Sequence, residues 1–285
     1  MPEAVRQGLN KTHEAPVNVA YHLSCLGEKA AAITSLGRDL LGNEAMERME
    51  GAGIDVSHVH WDNEWPTGAV KAKLTDKGNA TYQFLSPVAW DRIIVTPALE
   101  EACTGADALV YGTLAQRSEH NQKALFQLLE KEHWERIYDV NLRPPFDDPK
   151  LVFALAEKAD LLKLNDDETF TLSGLKEGQD PLQEAVRALA EKIPAKKICV
   201  TRGGEGALLW DRANDSFLEE KGRSITVEDT VGAGDAFLAG LVGSLLHQRP
   251  LDECLRKATR LGEYVATQRG AMPSYQLEKI PGFQE

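Results

Sequence analysis

Residues 225–246 read ITVEDTVGAGDAFLAGLVGSLL, and Gly232-Ala233-Gly234-Asp235 leads there straight into an apolar helical run. Glycines at such a junction let consecutive backbone N–H groups turn toward one point at the positive end of the helix dipole. That makes an anion site suited to a phosphate. Asp235 falls in the first turn, where a carboxylate often does no more than cap the helix. Beside a phosphate cradle the same carboxylate is repelled by its ligand unless it has a task. Accepting the proton of a hydroxyl that attacks phosphorus is the natural one. The strand-like ITVED is expected to lead into this loop. No GxxxxGK[ST] occurs, so the loop is not that of a P-loop nucleotidase.

The elements that must hold such a loop follow from the apolar periodicity. From residue 105 onward, short apolar runs alternate with helical patterns: ADALVYG (106–112), a helix over 119–133, RIYDVN (136–141), ADLLKLN (159–165), a helix over 180–193, and KKICVTRGG (196–204). Such alternation implies right-handed crossovers and a parallel sheet. Asn141, Asn165 and Thr201 end their runs, and ligands of open α/β sheets bind beyond the carboxyl ends of strands, so the three are expected to face one cleft. TGAVKAKLTDKGNATYQFL alternates polar and apolar on both sides of Asp76-Lys77-Gly78-Asn79, a hairpin signal. A small β flap over roughly 54–86 is expected, either a lid on the cleft or a plain surface hairpin.

The chain has 285 residues, 42% of them hydrophobic and 27% charged, with a formal net charge of -12. This size buries a full core. The acidic surface argues against nucleic acid and anionic membranes as partners. The longest apolar stretch, Phe237 to Leu246, is too short to span a bilayer and reads as a buried helix. MPEAVRQGLNKTHEAP lacks the apolar centre of a signal peptide. Cys25, Cys103, Cys199 and Cys254 are scattered, as expected of reduced thiols in a cytoplasmic protein. His58 and His60 sit one residue apart with no cysteine beside them, and read as an exposed strand rather than a metal pair. No internal repeat is present.

DTVGAGD resembles the C-terminal signature of the PfkB, or ribokinase-like, carbohydrate kinases. APVNVAYHLSCLG (15–27) resembles the rest of that family's N-terminal signature, and SLGRDLLGNEAMERMEGAGID (35–55) its next strand–helix segment. VAWDRI, GTLAQRSE, DVNLRPPF, KLNDDE, VTRGGEGALLW and RGAMPS follow in the family's order, the first two and NLRPPF resembling its fructokinase branch in particular. The resemblance implies one kinase domain over 1–285, an α/β fold with a three-layer α/β/α core, a mostly parallel sheet and a small β lid. It implies phosphorylation of a sugar hydroxyl by ATP, fructose becoming fructose phosphate. Asp235 would be the general base, and Gly232, Ala233 and Gly234 the anion hole. Asn165 and Glu168 resemble the pair that organises Mg²⁺ and its waters, although an N-x-x-E can equally be a capping box. Thr201, Gly203, Gly206 and Thr259 fall on the nucleotide side, and Asn18, Asn141, Arg143 and Asp235 on the sugar side. Arg143 can equally approach phosphate. Mg²⁺ is expected with ATP, K⁺ near Asp229 is a family expectation, and lids of family members often pair into homodimers.

Three departures bear on these expectations. His13-Glu14 stands where the signature normally has two glycines. MPEAVRQGLNKT has neither the pattern of the family's first strand nor its sugar-binding Asp, so that strand is expected to be missing before residue 13. Thr259 replaces an Asn near the adenine and loses an amide's paired donor and acceptor. An intact nucleotide side with an altered sugar side leaves an alternative open: a kinase-like protein that binds nucleotide or a partner without efficient turnover.

Overall fold

A computed structural model describes residues 15–74, 80–131 and 133–284, with the backbone alone of 70–74 and 80–83. His13-Glu14, the stretch 1–12 and the turn Asp76-Lys77-Gly78-Asn79, on each of which an expectation rests, lie outside the described residues.

Helix α1 (Ala15–Cys25), strand β1 (Thr34–Gly37), helix α2 (Leu40–Gly51) and strand β2 (Val59–Asp62) open the described chain. β1 and β2 pair in parallel as a two-stranded sheet. Val59 and Trp61 pack against the cluster of Leu36, Met49 and Ile54, which commits β2 to β1. Among the described residues of 54–86, the antiparallel pairing is therefore confined to β3 (Val70–Leu74) and β4 (Ala80–Phe84).

The alternating half follows: α3 (Pro97–Thr104), β5 (Ala108–Gly112), α4 (Glu119–Leu129), β6 (Glu135–Asp139), α5 (Pro149–Ala156), β7 (Leu161–Asn165), α6 (Asp166–Ser173), α7 (Leu182–Lys192) and β8 (Lys197–Thr201). β9 (Gly206–Asp211), β10 (Ser216–Lys221), α8 (Ala233–Leu246) and α9 (Leu251–Ala266) complete the body. The main sheet runs β10-β9-β8-β7-β6-β5. Its four strands β5 to β8 are mutually parallel, and β9 and β10 continue it antiparallel. No described strand lies beyond β5 or joins the main sheet to the β1–β2 pair.

Period-two alternation divides the sheet's residues between two cores. Tyr138, Leu162, Leu164, Ile198, Val200 and Leu208 turn toward α4, α5, α6 and α7. Ile137, Leu161, Cys199, Ala207 and Leu209 turn the other way, toward α1, α8 and α9. The result is the expected three-layer α/β/α body.

ITVED is not a strand. The N–H groups of Glu228 and Asp229 donate to the Ala266 carbonyl at 2.9 and 3.3 Å, and Val227 is 55% exposed. The segment is hung from the end of α9, outside the sheet, whose edge on that side is β10. α8 is apolar on every side and buried from Ala236 to Ser244, as a helix inside a layer must be.

A Cβ on Gly240 would lie 2.9 Å from the Ala258 Cα, so α8 and α9 cross in close backbone contact. A Cβ on Gly243 would meet the Leu26 side chain at 3.4 Å, an ordinary contact. Gly240→Val is therefore expected to lower the unfolding free energy by about 1–3 kcal/mol through overpacking. Gly243→Ala should change it by less than about 1 kcal/mol, helix propensity offsetting the tighter contact. Urea denaturation of the two variants beside the parent chain measures both.

Candidate active site

The carboxyl ends of β6, β7 and β8 lie side by side, since Asp139 is in register with Lys163 and Asn165 with Thr201. Beyond them stands the amino end of α8. Its N-cap, Gly232, has φ 81°, and a Cβ there would lie 2.5 Å from the Ala271 Cα, so only glycine fits this turn. The Ala233 N–H is turned back onto the Thr230 carbonyl at 3.3 Å. Gly234 and Asp235 follow in the first turn, where N–H groups have no acceptor within the helix. The Gly234 and Asp235 N–H groups are therefore the donors this turn leaves for an anion.

Asp235 is not the cap; it sits in the first turn, half-buried, with its Oδ2 accepting from Asn18 Nδ2 at 2.7 Å. Asn18 is one of the buried polar residues of α1 and leaves its own Oδ1 without a partner. Burial, and then the Asp139 carboxylate, push the Asp235 pKa from 3.8 up to about 7. The Asn18 hydrogen bond and the charges of Lys163 and Arg143 oppose that rise. A carboxyl group poised near neutrality is the form a general base takes.

One turn beyond Asn18, α1 carries the fully buried His22. Its Nε2 lies 2.9 Å from the Ala271 carbonyl and its Nδ1 2.9 Å from the Tyr275 hydroxyl. Burial lowers its pKa from 6.5 to about 4, so the ring is neutral, donating to the carbonyl and accepting from the hydroxyl. α1 thus grips the loop twice, at Asp235 directly and at Gly232 through Ala271. The 229–231 turn is tied to the same segment, because Asp229 Oδ1 accepts from Val231 N and Oδ2 from Gly270 N.

Asn165 and Glu168 form the capping box of α6. Asn165 Oδ1 accepts from Glu168 N at 2.7 Å, and Glu168 Oε2 from Asn165 N at 2.9 Å. Glu168 Oε1 also accepts from Leu142 N at 2.7 Å, which ties this box to the loop after β6. Burial holds the Glu168 pKa above its ordinary value against those two backbone donors and Lys163. No three His, Cys, Asp or Glu residues among the described ones group as a direct metal cage. Each Glu168 oxygen keeps a lone pair, so the donor set suits a Mg²⁺ that retains its waters and binds chiefly through nucleotide phosphates.

The other expected residues divide by location. Asn141 has φ 42°, and Arg143, exposed on the next turn, is near enough for its charge to act on Asp235. Thr201 ends β8 with its hydroxyl on the Leu164 carbonyl at 3.3 Å. Gly203 lies in an exposed turn and Gly206 opens β9, where a Cβ would lie 2.0 Å from the Glu220 carbonyl. Thr259 is buried in α9 and gives its hydroxyl to the Leu255 carbonyl at 2.9 Å, within its own helix. His60 is exposed on β2.

Two groups of the site escape sequence reasoning: Asp139 and Lys163. The buried Lys163 Nζ donates to Asp139 Oδ1 at 2.9 Å, on the sheet face that α8 covers. A charged residue inside the apolar run LLKLN is the signal that marks it. The flap's return is also fixed to the body. Arg117 makes a bidentate pair with Asp91, donates to the Leu85 carbonyl at 2.5 Å, and lies 3.9 Å from the Trp90 ring centre. Phe84 meets Phe146, beyond Arg143, edge-on at 6.4 Å.

The family model for pfkB family carbohydrate kinases matches residues 15–278. A fructokinase of Salmonella typhimurium is 27% identical over 293 residues, covering 98% of this chain and 93% of the relative. Among solved structures, a fructokinase of Vibrio cholerae O395, crystallised with fructose, ADP and calcium, superposes with a TM-score of 0.82 at 23% identity, covering 96% of this chain and 91% of that one. A fructokinase of Xylella fastidiosa with bound ATP gives 0.78 at 19% identity, over 91% and 86%. The fold is the ribokinase-like one that the motifs led us to expect.

The raised Asp235 pKa has a consequence for stability. A carboxyl group whose folded value lies above its unfolded one weakens the fold as pH rises from about 4 through about 7, and by a constant amount above that. Asp235→Asn, which keeps the acceptor for Asn18, is therefore expected to be more stable than the parent at pH 8, by on the order of 4 kcal/mol. The difference should vanish near pH 4. Denaturant unfolding of both chains at the two pH values checks the sign.

Proposed function

The chain belongs to the pfkB family of carbohydrate kinases, and from that premise we propose that it transfers the terminal phosphoryl group of ATP to a hydroxyl of fructose. The observation that carries the reading is Asp235: a carboxylate poised near pH 7, oriented by Asn18, at the end of a helix whose first N–H groups point outward. The fructokinase names among the relatives support fructose as the acceptor, as do the blocks VAWDRI, GTLAQRSE and NLRPPF.

In this mechanism the sugar lies near Asn18, Asn141 and Arg143, under the β3–β4 hairpin. The hairpin excludes water, which suppresses the competing hydrolysis of ATP. Asp235 accepts the hydroxyl proton as the sugar oxygen bonds to phosphorus in line with the breaking bond to ADP. Charge developing on the transferred group is met by the N–H donors of the Gly232–Asp235 loop. Mg²⁺, when bound with ATP, offsets the charge of the phosphates, and Asn165 and Glu168 are the residues that would order its waters. Thr201, Gly203 and Gly206 line the nucleotide side. One kinase domain with the hairpin as its lid accounts for the whole arrangement.

The test is an ADP-release assay with MgATP and fructose, ribose, 2-keto-3-deoxygluconate, adenosine or no sugar. Fructose-dependent turnover is expected. No turnover with any acceptor, with MgATP still binding by calorimetry, would leave the kinase-like binder in its place. Asp235→Asn is expected to lose phosphoryl transfer by roughly 10²–10⁴-fold with nucleotide affinity retained. Unchanged turnover in that variant removes Asp235 as the base.

A further inference from the structure

Lys163 and Asp139 are interior charges that the reaction as described above does not use. They stand in register on β7 and β6, so their side chains leave the sheet together. Their flanking residues fix the face: Tyr138, Leu162 and Leu164 pack toward α4–α7, leaving Asp139 and Lys163 pointing toward α8. There the two join through the 2.9 Å bond, both buried. The Lys163 ammonium lies directly beneath the anion-binding loop, since a Cβ on Gly234 would be 3.3 Å from Nζ. The other carboxylate oxygen, Asp139 Oδ2, is buried without a hydrogen-bond partner.

A buried ion pair of this kind adds little net stability, because the desolvation of both ions cancels most of their attraction. Its place beneath the loop is better explained by what lies above it. We propose that Lys163 and Asp139 are a positioning pair for the reaction: they floor the Gly232–Asp235 loop and hold opposite charges against the Asp235 carboxylate, setting the pH at which that base works. The proposal rests on the reading of Asp235 as the base.

The groups that face Asp235 come from each element packed on it: Asn18 of α1 by hydrogen bond, Asp139 of β6, Lys163 of β7, and Arg143 of the loop after β6. Asp139 works against ionisation of Asp235, whereas Lys163 and Arg143 favour it. Lys163 is itself held charged. Burial works against its charge, but Asp139, Asp235 and Glu168 keep its pKa above the ordinary value. With the cation present the base ionises near neutrality. With the neighbouring anion also present it keeps enough proton affinity to accept a proton from the sugar.

The pair predicts opposite responses to two single substitutions. Turnover depends on ionised Asp235, so kcat rises with pH through an acid limb. Lys163→Met removes the favourable charge and should move that limb to higher pH by about one unit or more. Asp139→Asn removes the unfavourable one and should move it to lower pH by a similar amount. The double variant should return close to the parent. A pair that merely fills space would lower kcat alike at every pH and leave the limb where it stands.

The experiment is the kcat–pH profile of the full chain and the three variants at saturating MgATP and sugar, with thermal unfolding as the check on folding. Limbs that stay put, or that move in the same direction in both single variants, overturn the proposal. If Lys163→Met fails to fold because Asp139 is left unpaired, Asp139→Asn carries the test alone, and an unshifted limb there overturns it. Asp235→Asn in the same assay separates the two readings. If it retains turnover, the base assignment fails. If it is inactive while the single-variant limbs stay put, only the positioning pair fails.

Discussion

Everything in this molecule that bears on chemistry converges on keeping one carboxylate half-buried against the outward-pointing N–H groups of a helix. Water would hold Asp235 ionised at low pH, and full burial with no opposite charge would keep it protonated far above neutrality. The site stands between these limits. Burial and Asp139 raise its proton affinity, while Asn18, Lys163 and Arg143 oppose them. A shift of one pKa unit is only about 1.4 kcal/mol, so a single misplaced charge is enough to disarm such a base.

The fold supplies that balance by placing elements that are distant in the chain around a single atom group. Asn18 and Asp235 are 217 positions apart and meet because α1 and α8 lie in the same layer. Asp139 and Lys163 meet because two parallel strands share a register, and the sheet's alternation aims both at α8. The glycines of α8 let it approach its neighbours closely, Gly232 over Ala271 and Gly240 over Ala258. His22 and Asp229 lock the segment around Ala271 to the loop from both sides. The loop before α8 is thus tied down by side chains and backbone from three separate stretches of the chain.

Much of this is legible in the sequence, for identifiable physical reasons. The alternation from residue 105 gives the parallel half of the sheet because period-two and helical patterns are local. GAGD gives the tight turn into α8 because the backbone at Gly232 leaves no room for a side chain. Pairings fixed by register are not legible in this way. β2 joins β1 rather than the flap, and Lys163 finds Asp139, through contacts that no local pattern encodes. ITVED has the composition of a strand but pairs with none, and hangs from the Ala266 carbonyl beyond the edge strand β10 instead. The bond from the Thr259 hydroxyl to the Leu255 carbonyl of its own helix is likewise a contact that no local pattern announces.

The claim at the centre is the ionisation of Asp235 in the folded chain, and it can be read without turnover. With ¹³C-labelled aspartate and the Asp235→Asn chain to assign the resonance, carboxyl shifts followed between pH 3 and 9 report that group by itself. The account predicts a titration midpoint near 7 for Asp235. A midpoint near the ordinary 3.8 would show that the neighbouring charges and burial do not poise this group, and the account of the site would fall with it.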